Sequence, residues 1–318
     1  LAFLLNSFIR FYIMRQSMIR TIPIFFCLLM VCTVSASEPP LGMWAWKQAH
    51  FDTEQALSEM LDFCKQEGIS HIDQHVGIRG GVITNADALK SLIAEAAQRG
   101  ITVNALRGDK AMFLADNHER TLNAIETLAA FNRTLPEEAK LLGIKFDVEP
   151  YLTAQWKAGG EQRDRVILEY LNCLTRARAY LKTHSPELEL AVDVPFWWDK
   201  DEYMVNFEGS IKPFVHHIQD CADWLGIMSY QREAGKIIRL VEDEIAYALK
   251  QELACSIAPG METSNIKGKD AHISFGGVPP ERFRLALAVL RATYANNPNV
   301  RCIMLHHYGS LRTYLMGD

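Results

Sequence analysis

The chain has 318 residues, of which 49% are hydrophobic and 22% are charged. This is the balance of a globular protein with enough apolar side chains for one large core. Its formal net charge of −5 gives no electrostatic basis for binding nucleic acid. Seven cysteines occur without a CxxC pair, which does not support a zinc ribbon or a dithiol redox motif.

The first 36 residues differ from the rest because they carry no Asp or Glu. Residues 1–17 are interpreted as an upstream extension. A basic stretch at Met18–Arg20, an apolar run over residues 21–34 and the small residues around Ala36 match the parts of a secretory signal peptide. The apolar run is short for a membrane span, and an uncleaved anchor is the alternative. We therefore expect cleavage after Ala36 and export to the periplasm or the medium, without stable membrane association, and one domain over residues 37–318.

From residue 41 onward, short apolar runs alternate with longer amphipathic runs. The apolar runs are predicted strands at Leu41–Trp46, Ile69–His75, Ile101–Leu106, Leu141–Val148, Leu188–Val194, Trp224–Ser229, Leu253–Ala258 and Arg301–His306. The amphipathic runs are predicted helices, among them Thr53–Glu67, Ala86–Arg99, Glu119–Asn132, Asp164–Thr183, Ile237–Gln251 and Pro280–Ala295.

Eight strands that alternate with helices predict an α/β fold with a parallel sheet. Residues 37–318 have the size of a closed (β/α)8 TIM barrel, for which about 250 residues are typical. An open, doubly wound sheet is the alternative, but that fold usually has a glycine-rich phosphate loop after its first strand. Here the first strand leads into Trp44-Ala45-Trp46 instead. We therefore predict a single-domain (β/α)8 barrel.

In such barrels the active site lies at the carboxyl ends of the strands. The side chains at these ends are acidic, aromatic and polar together, which is typical of a carbohydrate site because aromatic faces pack on sugar rings. The candidate substrate contacts are Trp44, Trp46, Asp73, His75, Arg107, Asp193, Trp197, Gln231 and His306, and Trp198 is a further candidate sugar platform.

The fourth strand carries three charged residues on one face, because side chains alternate along a strand. These are Lys145, Asp147 and Glu149, and they point into the barrel if Phe146 and Val148 pack outward. Lys145 is expected to neutralise Asp147. Glu149, next to a second carboxylate and partly desolvated, is expected to serve as the general acid. The alternative is a structural Lys–Asp pair with an unrelated Glu at the rim.

The segment Leu142-Gly143-Ile144-Lys145-Phe146-Asp147-Val148-Glu149 resembles the fourth-strand motif Asp-Gly-x-Asp-x-Asp-x-Glu of glycoside hydrolase family 18, the chitinase-like enzymes. Met228-Ser229-Tyr230 is similar to that family's Met-x-Tyr. The resemblance implies that Glu149 is the acid and that Asp147 and Tyr230 hold the substrate's acetamido group. Leu142 and Lys145 replace the first two aspartates, and Gln231 stands where the family usually has Asp.

Two other resemblances imply different chemistry. Val148-Glu149-Pro150 is similar to the Asn-Glu-Pro of clan A retaining glycosidases, and Glu262 falls where their seventh-strand nucleophile lies. That route needs two carboxyl groups about 5–5.5 Å apart, whereas Glu262 lies four residues beyond the predicted strand end. Lys145-Phe146-Asp147 also resembles the Lys-x-Asp of α-galactosidase-type barrels, which would make Asp147 the nucleophile.

Two rival hypotheses stay open at this point. A metal-dependent hydrolase would use His71, Asp73, His75, His306 and His307 as ligands. A barrel with a decayed motif would bind a glycan without cleaving it. The sequence favours an exported glycoside hydrolase that acts on an oligo- or polysaccharide as a monomer, with no cofactor and no metal, and with Glu149, Asp147, Glu262 and Tyr230 as the catalytic candidates.

Overall fold

The computed structural model describes residues 37–317. The predicted signal peptide and its cleavage site lie outside the described residues. The barrel strands are β1 Leu41–Ala45, β2 Ile69–His75, β3 Thr102–Gly108, β4 Gly143–Asp147, β5 Glu189–Pro195, β6 Trp224–Met228, β7 Ser256–Glu262 and β8 Ile303–His306. The helices are α1 Glu54–Glu67, α2 Ala86–Gln98, α3 His118–Arg133, α4 Ala154–Ala158, α5 Gly160–His184, α6 Phe214–Gln219, α7 Ala234–Arg239, α8 Glu242–Lys250, α9 Pro280–Thr293 and α10 Tyr308–Met316.

The strands form a closed parallel barrel in which each strand pairs with its neighbours in the chain and β8 pairs with β1. Leu41 lies opposite Ile303 at this closure. The predicted (β/α)8 barrel is therefore confirmed, and the open doubly wound alternative is wrong because no strand is left at an edge. This closure brings the carboxyl ends of all eight strands to one mouth.

Local sequence explains where the first helix begins and ends. The Thr53 hydroxyl accepts a hydrogen bond from the backbone N–H of Ala56 and caps the start of α1. Gly68 follows the helix with φ of 70°, a left-handed conformation that glycine adopts without a steric penalty. The next strand, β2, begins one residue later.

Two short antiparallel hairpins were not predicted. One pairs Ile78–Arg79 with Val82–Ile83 after β2, and the other pairs Met204–Phe207 with Ser210–Pro213 after β5. Strand β7 also differs from its prediction, because it runs through Pro259 and Gly260 and ends at Glu262. Glu262 is therefore the last residue of the strand, not four residues beyond its end.

Apolar side chains pack between the strands and the helices, and a second apolar cluster fills the barrel interior. The interior cluster consists of Trp44, Leu106, Ala191, Trp224, Ala258, Cys302 and Met304. Cys64, Cys173, Cys221, Cys255 and Cys302 are free thiols. No helix within residues 37–317 is both long enough and apolar enough to cross a membrane.

Candidate active site

A buried ion triad lies inside the barrel. Lys145 of β4 reaches across the interior, where its Nζ lies 2.7 Å from Asp73 Oδ2 of β2 and 2.8 Å from Asp193 Oδ1 of β5. All three side chains are essentially inaccessible to solvent. The expected pairing of Lys145 with Asp147 is therefore wrong. The reason is that a long inward side chain in a closed barrel reaches carboxylates on other strands.

The two aspartates of the triad differ in their hydrogen-bond partners. Asp73 also contacts His71 at 2.9 Å and accepts from Asn104 at 3.1 Å, while Asp193 accepts from the Trp44 indole at 2.9 Å. Burial opposes ionisation of both, but Lys145 and His71 outweigh it at Asp73 and lower the pKa of that carboxyl. Burial dominates at Asp193 and raises its pKa. Both aspartates are counter-ions of Lys145, and Asp73 is the more readily ionised of the two.

Above the triad, a cleft of about 600 Å³ opens at the barrel mouth. Its lining is Trp44, Trp46, Gly108, Asp109, Lys110, Asp147, Glu149, Leu152, Asp193, Met228, Tyr230 and His306. Four predicted substrate contacts, Trp44, Trp46, Asp193 and His306, and three catalytic candidates, Asp147, Glu149 and Tyr230, line it. Trp44 is only 1% exposed and belongs to the floor, whereas Trp46 is partly exposed at the wall. Trp46 is thus the tryptophan available as a sugar platform.

Asp147 ends β4 beside Asp193, its register partner on β5. Its Oδ1 is buried and has no hydrogen-bond partner in the described part of the chain. Burial, then the charges of Asp193 and Glu149, raise the pKa of Asp147 well above its ordinary value. The neutral, protonated form of Asp147 is therefore favoured, and in that form its carboxyl hydroxyl can donate a hydrogen bond.

Glu149 follows β4 and precedes Pro150, which begins a short 3-10 turn. The Tyr151 hydroxyl donates a hydrogen bond to Glu149 Oε1. Burial and the neighbouring Glu149 raise the pKa of Tyr151, so its hydroxyl stays a donor. Tyr151 was not predicted as a site residue, and its position two residues after Glu149 on the same turn is the signal that identifies it.

Glu262 is placed differently from Glu149. Its Oε2 lies 2.7 Å from His306 Nδ1, and its Oε1 accepts from the Ser264 backbone N–H at 2.6 Å. Burial raises its pKa, but these hydrogen bonds outweigh burial and lower it. Glu262 is therefore an ionised carboxylate tied down at the end of β7, and it is not among the residues that line the cleft.

His306 connects Glu262 to the cleft wall. The Trp46 indole N–H donates to His306 Nε2 at 3.2 Å, so the His306 Nε2 is an acceptor and its Nδ1 carries the proton donated to Glu262. Tyr230 packs against the same imidazole with 5.6 Å between ring centroids. Burial and then the charges of Glu262, Asp193, Asp147 and Glu149 raise the pKa of Tyr230, which keeps its hydroxyl protonated.

Several predicted contacts lie away from the cleft. Asp73 lies beneath it in the triad, and His75 lies behind Trp46 at 6.3 Å between ring centroids. Arg107 lines a separate groove, and Gln231 does not line the cleft. Trp197 packs against Tyr151 and Phe196, while Trp198 is fully buried in the core beside Trp156 and Phe214. Placing Trp198 at a sugar platform is therefore wrong.

The metal-hydrolase hypothesis predicts convergent ligands at the mouth. Within residues 37–317, no group of three or more His, Cys, Asp and Glu side chains is arranged to hold a metal ion. His71 and Asp73 bind each other, and His306 binds Glu262. Three of the five residues that the hypothesis assigned to the metal therefore already bind protein groups.

Comparisons with known proteins give structural matches only. No protein-family model and no curated protein sequence matches the chain. A GH113 β-1,4-mannanase is similar over 86% of this chain and 89% of its own, at 10% identity and a TM-score of 0.54. A chitinase from Bacteroides thetaiotaomicron is similar over 86% and 91%, at 13% identity and a TM-score of 0.52.

A calcium-binding mutant of β-glucuronidase 2 from Bacteroides uniformis has a TM-score of 0.59 at 11% identity, over 85% of this chain. This chain spans only 31% of that larger protein. At sequence identities of 10%, 11% and 13%, these structural similarities show a shared fold and nothing more. The chain has the fold of the glycoside-hydrolase-like TIM barrels, which it resembles distantly.

Proposed function

We propose that this chain is a glycoside hydrolase that acts on an oligo- or polysaccharide, with Glu149 as the proton donor. The observation that carries the proposal is the cleft at the barrel mouth, where Asp147, Glu149 and Tyr230 face one space of about 600 Å³. Trp46 adds a partly exposed aromatic face at its wall. The similar folds of a mannanase and a chitinase support a carbohydrate substrate.

Glu149 is suited to give a proton to the leaving glycosidic oxygen. It lies in the cleft, and the Tyr151 hydroxyl fixes the orientation of its carboxyl group. Asp147, whose pKa is raised, donates a hydrogen bond in its protonated form from the floor to an acceptor on the sugar. Tyr230 presents a second neutral hydroxyl from β6. These groups form a general acid with two positioning donors.

Two routes differ in the role of Glu262. In the retaining route Glu262 attacks the anomeric carbon, and its ionised state favours this assignment. In the chitinase-like route the substrate's own acetamido group attacks, and Asp147 and Tyr230 hold it. We favour the second route because Asp147 and Tyr230 line the cleft with Glu149, whereas Glu262 is bound to His306 and Ser264.

The test is hydrolysis of N-acetylated and non-acetylated β-1,4-linked oligosaccharides by the full protein and three variants. We expect Glu149→Gln to lower kcat by about 10²–10⁴-fold, because that is the contribution of a positioned general acid. The matched control is Glu138→Gln, an exposed glutamate in the loop before β4 at the opposite end of the barrel. A loss of activity in the control, or full activity in Glu149→Gln, would contradict the proposal.

The third variant, Glu262→Gln, separates the two routes. If the acetamido group is the nucleophile, Glu262→Gln loses far less activity than Glu149→Gln, because Glu262 then acts only through His306. A loss as deep as that of Glu149→Gln assigns Glu262 as the nucleophile. If all variants bind oligosaccharide and the wild-type protein cleaves none, the barrel is a binding protein instead.

A further inference from the structure

A groove next to the cleft contains two arginines without a carboxylate partner. It runs between the hairpin at residues 78–83 and α3, and its volume is about 1100 Å³. Arg107 and Arg120 line it together with polar side chains such as Asn123 and Thr127. The end of β3 and the segment that follows it separate the groove from the cleft. Arg107 and Met112 face the groove, while Gly108, Asp109 and Lys110 face the cleft.

Arg107 is only partly satisfied by the protein. Its Nη1 donates to the backbone carbonyl of Val76, which ties the guanidinium to the chain after β2. Its Nε is buried and has no hydrogen-bond partner in the described residues. Because this Nε is inaccessible, the guanidinium nitrogen left for a ligand in the groove is Nη2, which has no hydrogen-bond partner in the described residues.

Arg120 places a second positive charge near the first. Burial, and then the charge of Arg120, lower the pKa of Arg107. In the part of the chain that the structure describes, neither arginine lies within ion-pair distance of a carboxylate. Glu119 also lines the groove, but it binds Arg176 at 2.5 Å. Asp109 accepts a hydrogen bond from the backbone N–H of Ala111 at 2.8 Å.

We propose that this groove binds an anionic substituent of the glycan between Arg107 and Arg120, with the carboxylate of a uronic acid as the matching group. Two guanidinium groups without carboxylate partners are complementary to a planar carboxylate, which accepts parallel N–H donors. The substituent would lie on a part of the sugar chain that leaves the cleft across the wall that the two spaces share. The inference rests on the proposed function and deepens it by assigning the substrate to the acidic glycans.

Two acidic residues also line the groove, but they do not abolish its expected preference for an anion. Asp116 and Glu126 line it as well, and both are exposed at its rim. Their solvated carboxylates are screened by salt and water. Arg107 is half-buried, so its interaction with a bound carboxylate is screened less.

The experiment measures binding rather than turnover, in the full protein carrying Glu149→Gln. A tetrasaccharide of alternating β-linked glucuronate and N-acetylglucosamine and its fully methyl-esterified form are titrated by calorimetry. The two differ in charge at the same sugar positions, and both carry the acetamido group of the favoured route. We expect the acid to bind at least about tenfold more tightly than the ester, since hydrogen bonds to charged groups are the stronger ones. Arg120→Gln is expected to remove this preference. Arg120 is exposed, so folding of this variant is not at risk.

Arg107→Lys is the second variant, and Arg165→Gln, an exposed arginine of α5, is the matched control. Equal binding of acid and ester, no binding of either, or a preference that survives Arg120→Gln would overturn the proposal.

Titration with sodium sulfate and sodium glucuronate separates the sources of the anion. If sulfate displaces the acid and glucuronate does not, the carboxylate assignment is wrong. These binding results can be interpreted even if the protein cleaves no glycan, because none of the measurements requires hydrolysis.

Discussion

Lys145 determines the charge balance at the centre of the barrel. It is fully buried between Asp73 and Asp193, and its Nζ also lies 3.9 Å from the centroid of the Trp224 ring. Removing one partner of a buried ion pair costs about 3–5 kcal/mol because a charge is left without compensation. Lys145 therefore holds β2, β4 and β5 in register beneath the cleft.

Asp147 makes the stability of the protein depend on pH. Its folded pKa is raised, so its contribution is fully present below the unfolded value of about 3.9 and is lost as pH rises through the folded value. Asp147→Asn keeps a neutral side chain at every pH. We expect the variant to gain stability relative to wild type as the pH rises above the unfolded value of about 3.9, by about 1.4 kcal/mol for each unit of the shift.

Urea unfolding at several pH values measures this difference. The control is Asp270→Asn, an exposed aspartate in the loop after β7. If the free energies of unfolding of wild type and Asp147→Asn change in parallel with pH, Asp147 is not protonated in the folded protein.

The contacts of individual site residues are the part of the site that the sequence does not predict. The alternation of Lys145, Asp147 and Glu149 along one strand correctly predicts an inward charged face. It does not predict that Lys145 binds Asp73 and Asp193, which are 72 and 48 residues away, because strand periodicity carries no information about contacts across a barrel. Trp198 was misassigned for a similar reason, since an aromatic residue near a strand end packs either on a ligand or in the core.

At the scale of elements, Gly226 shows how tightly β6 packs against the ion triad. A Cβ atom at this position would overlap the Asp193 carboxylate and lie 2.8 Å from Lys145 Nζ. We expect Gly226→Ala to lower the free energy of unfolding by about 1–3 kcal/mol, the usual cost of overpacking a core. Chemical denaturation of the purified variant measures the effect.

The matched control is Gly235→Ala in α7, where the nearest atom to an added Cβ is Arg239 Nη1 at 3.8 Å. Because this glycine is helical, alanine is expected to be neutral or stabilising by up to about 1 kcal/mol. Equal effects of the two substitutions would show that β6 adjusts to the added methyl group.

The strands were predicted more accurately than the segments that join them. Strand β2 was predicted at the residues where it occurs, Ile69–His75, because it is bounded by Gly68 and by a polar loop. Strand β7 was predicted to end at Ala258 because Pro259 lacks an N–H donor and usually marks a boundary. In the barrel Pro259 lies opposite Ile227, and pairing continues to Glu262. The hairpins were missed because strands of two or four residues leave no periodic pattern.

At the scale of the whole molecule, the export of the protein stays a prediction. Residues 37–40 lead into β1, and the Ser37 backbone N–H donates a hydrogen bond to the Asn296 side chain at 2.9 Å. Expression of the full chain in a bacterial host, followed by mass spectrometry of the periplasmic and secreted fractions, is expected to give a mature protein that starts at Ser37. A cytoplasmic protein that retains residues 18–36 would refute the signal-peptide interpretation.

The ion triad also bears on the order in which the barrel assembles. Asp73 and Lys145 lie in the first four strands and Asp193 lies in the fifth, so neither half of the barrel contains the whole set. An isolated second half would enclose an aspartate without a counter-charge, and contacts so distant in sequence form slowly. The isolated second half is therefore penalised, and Asp193 gains its counter-charge only when both halves close together.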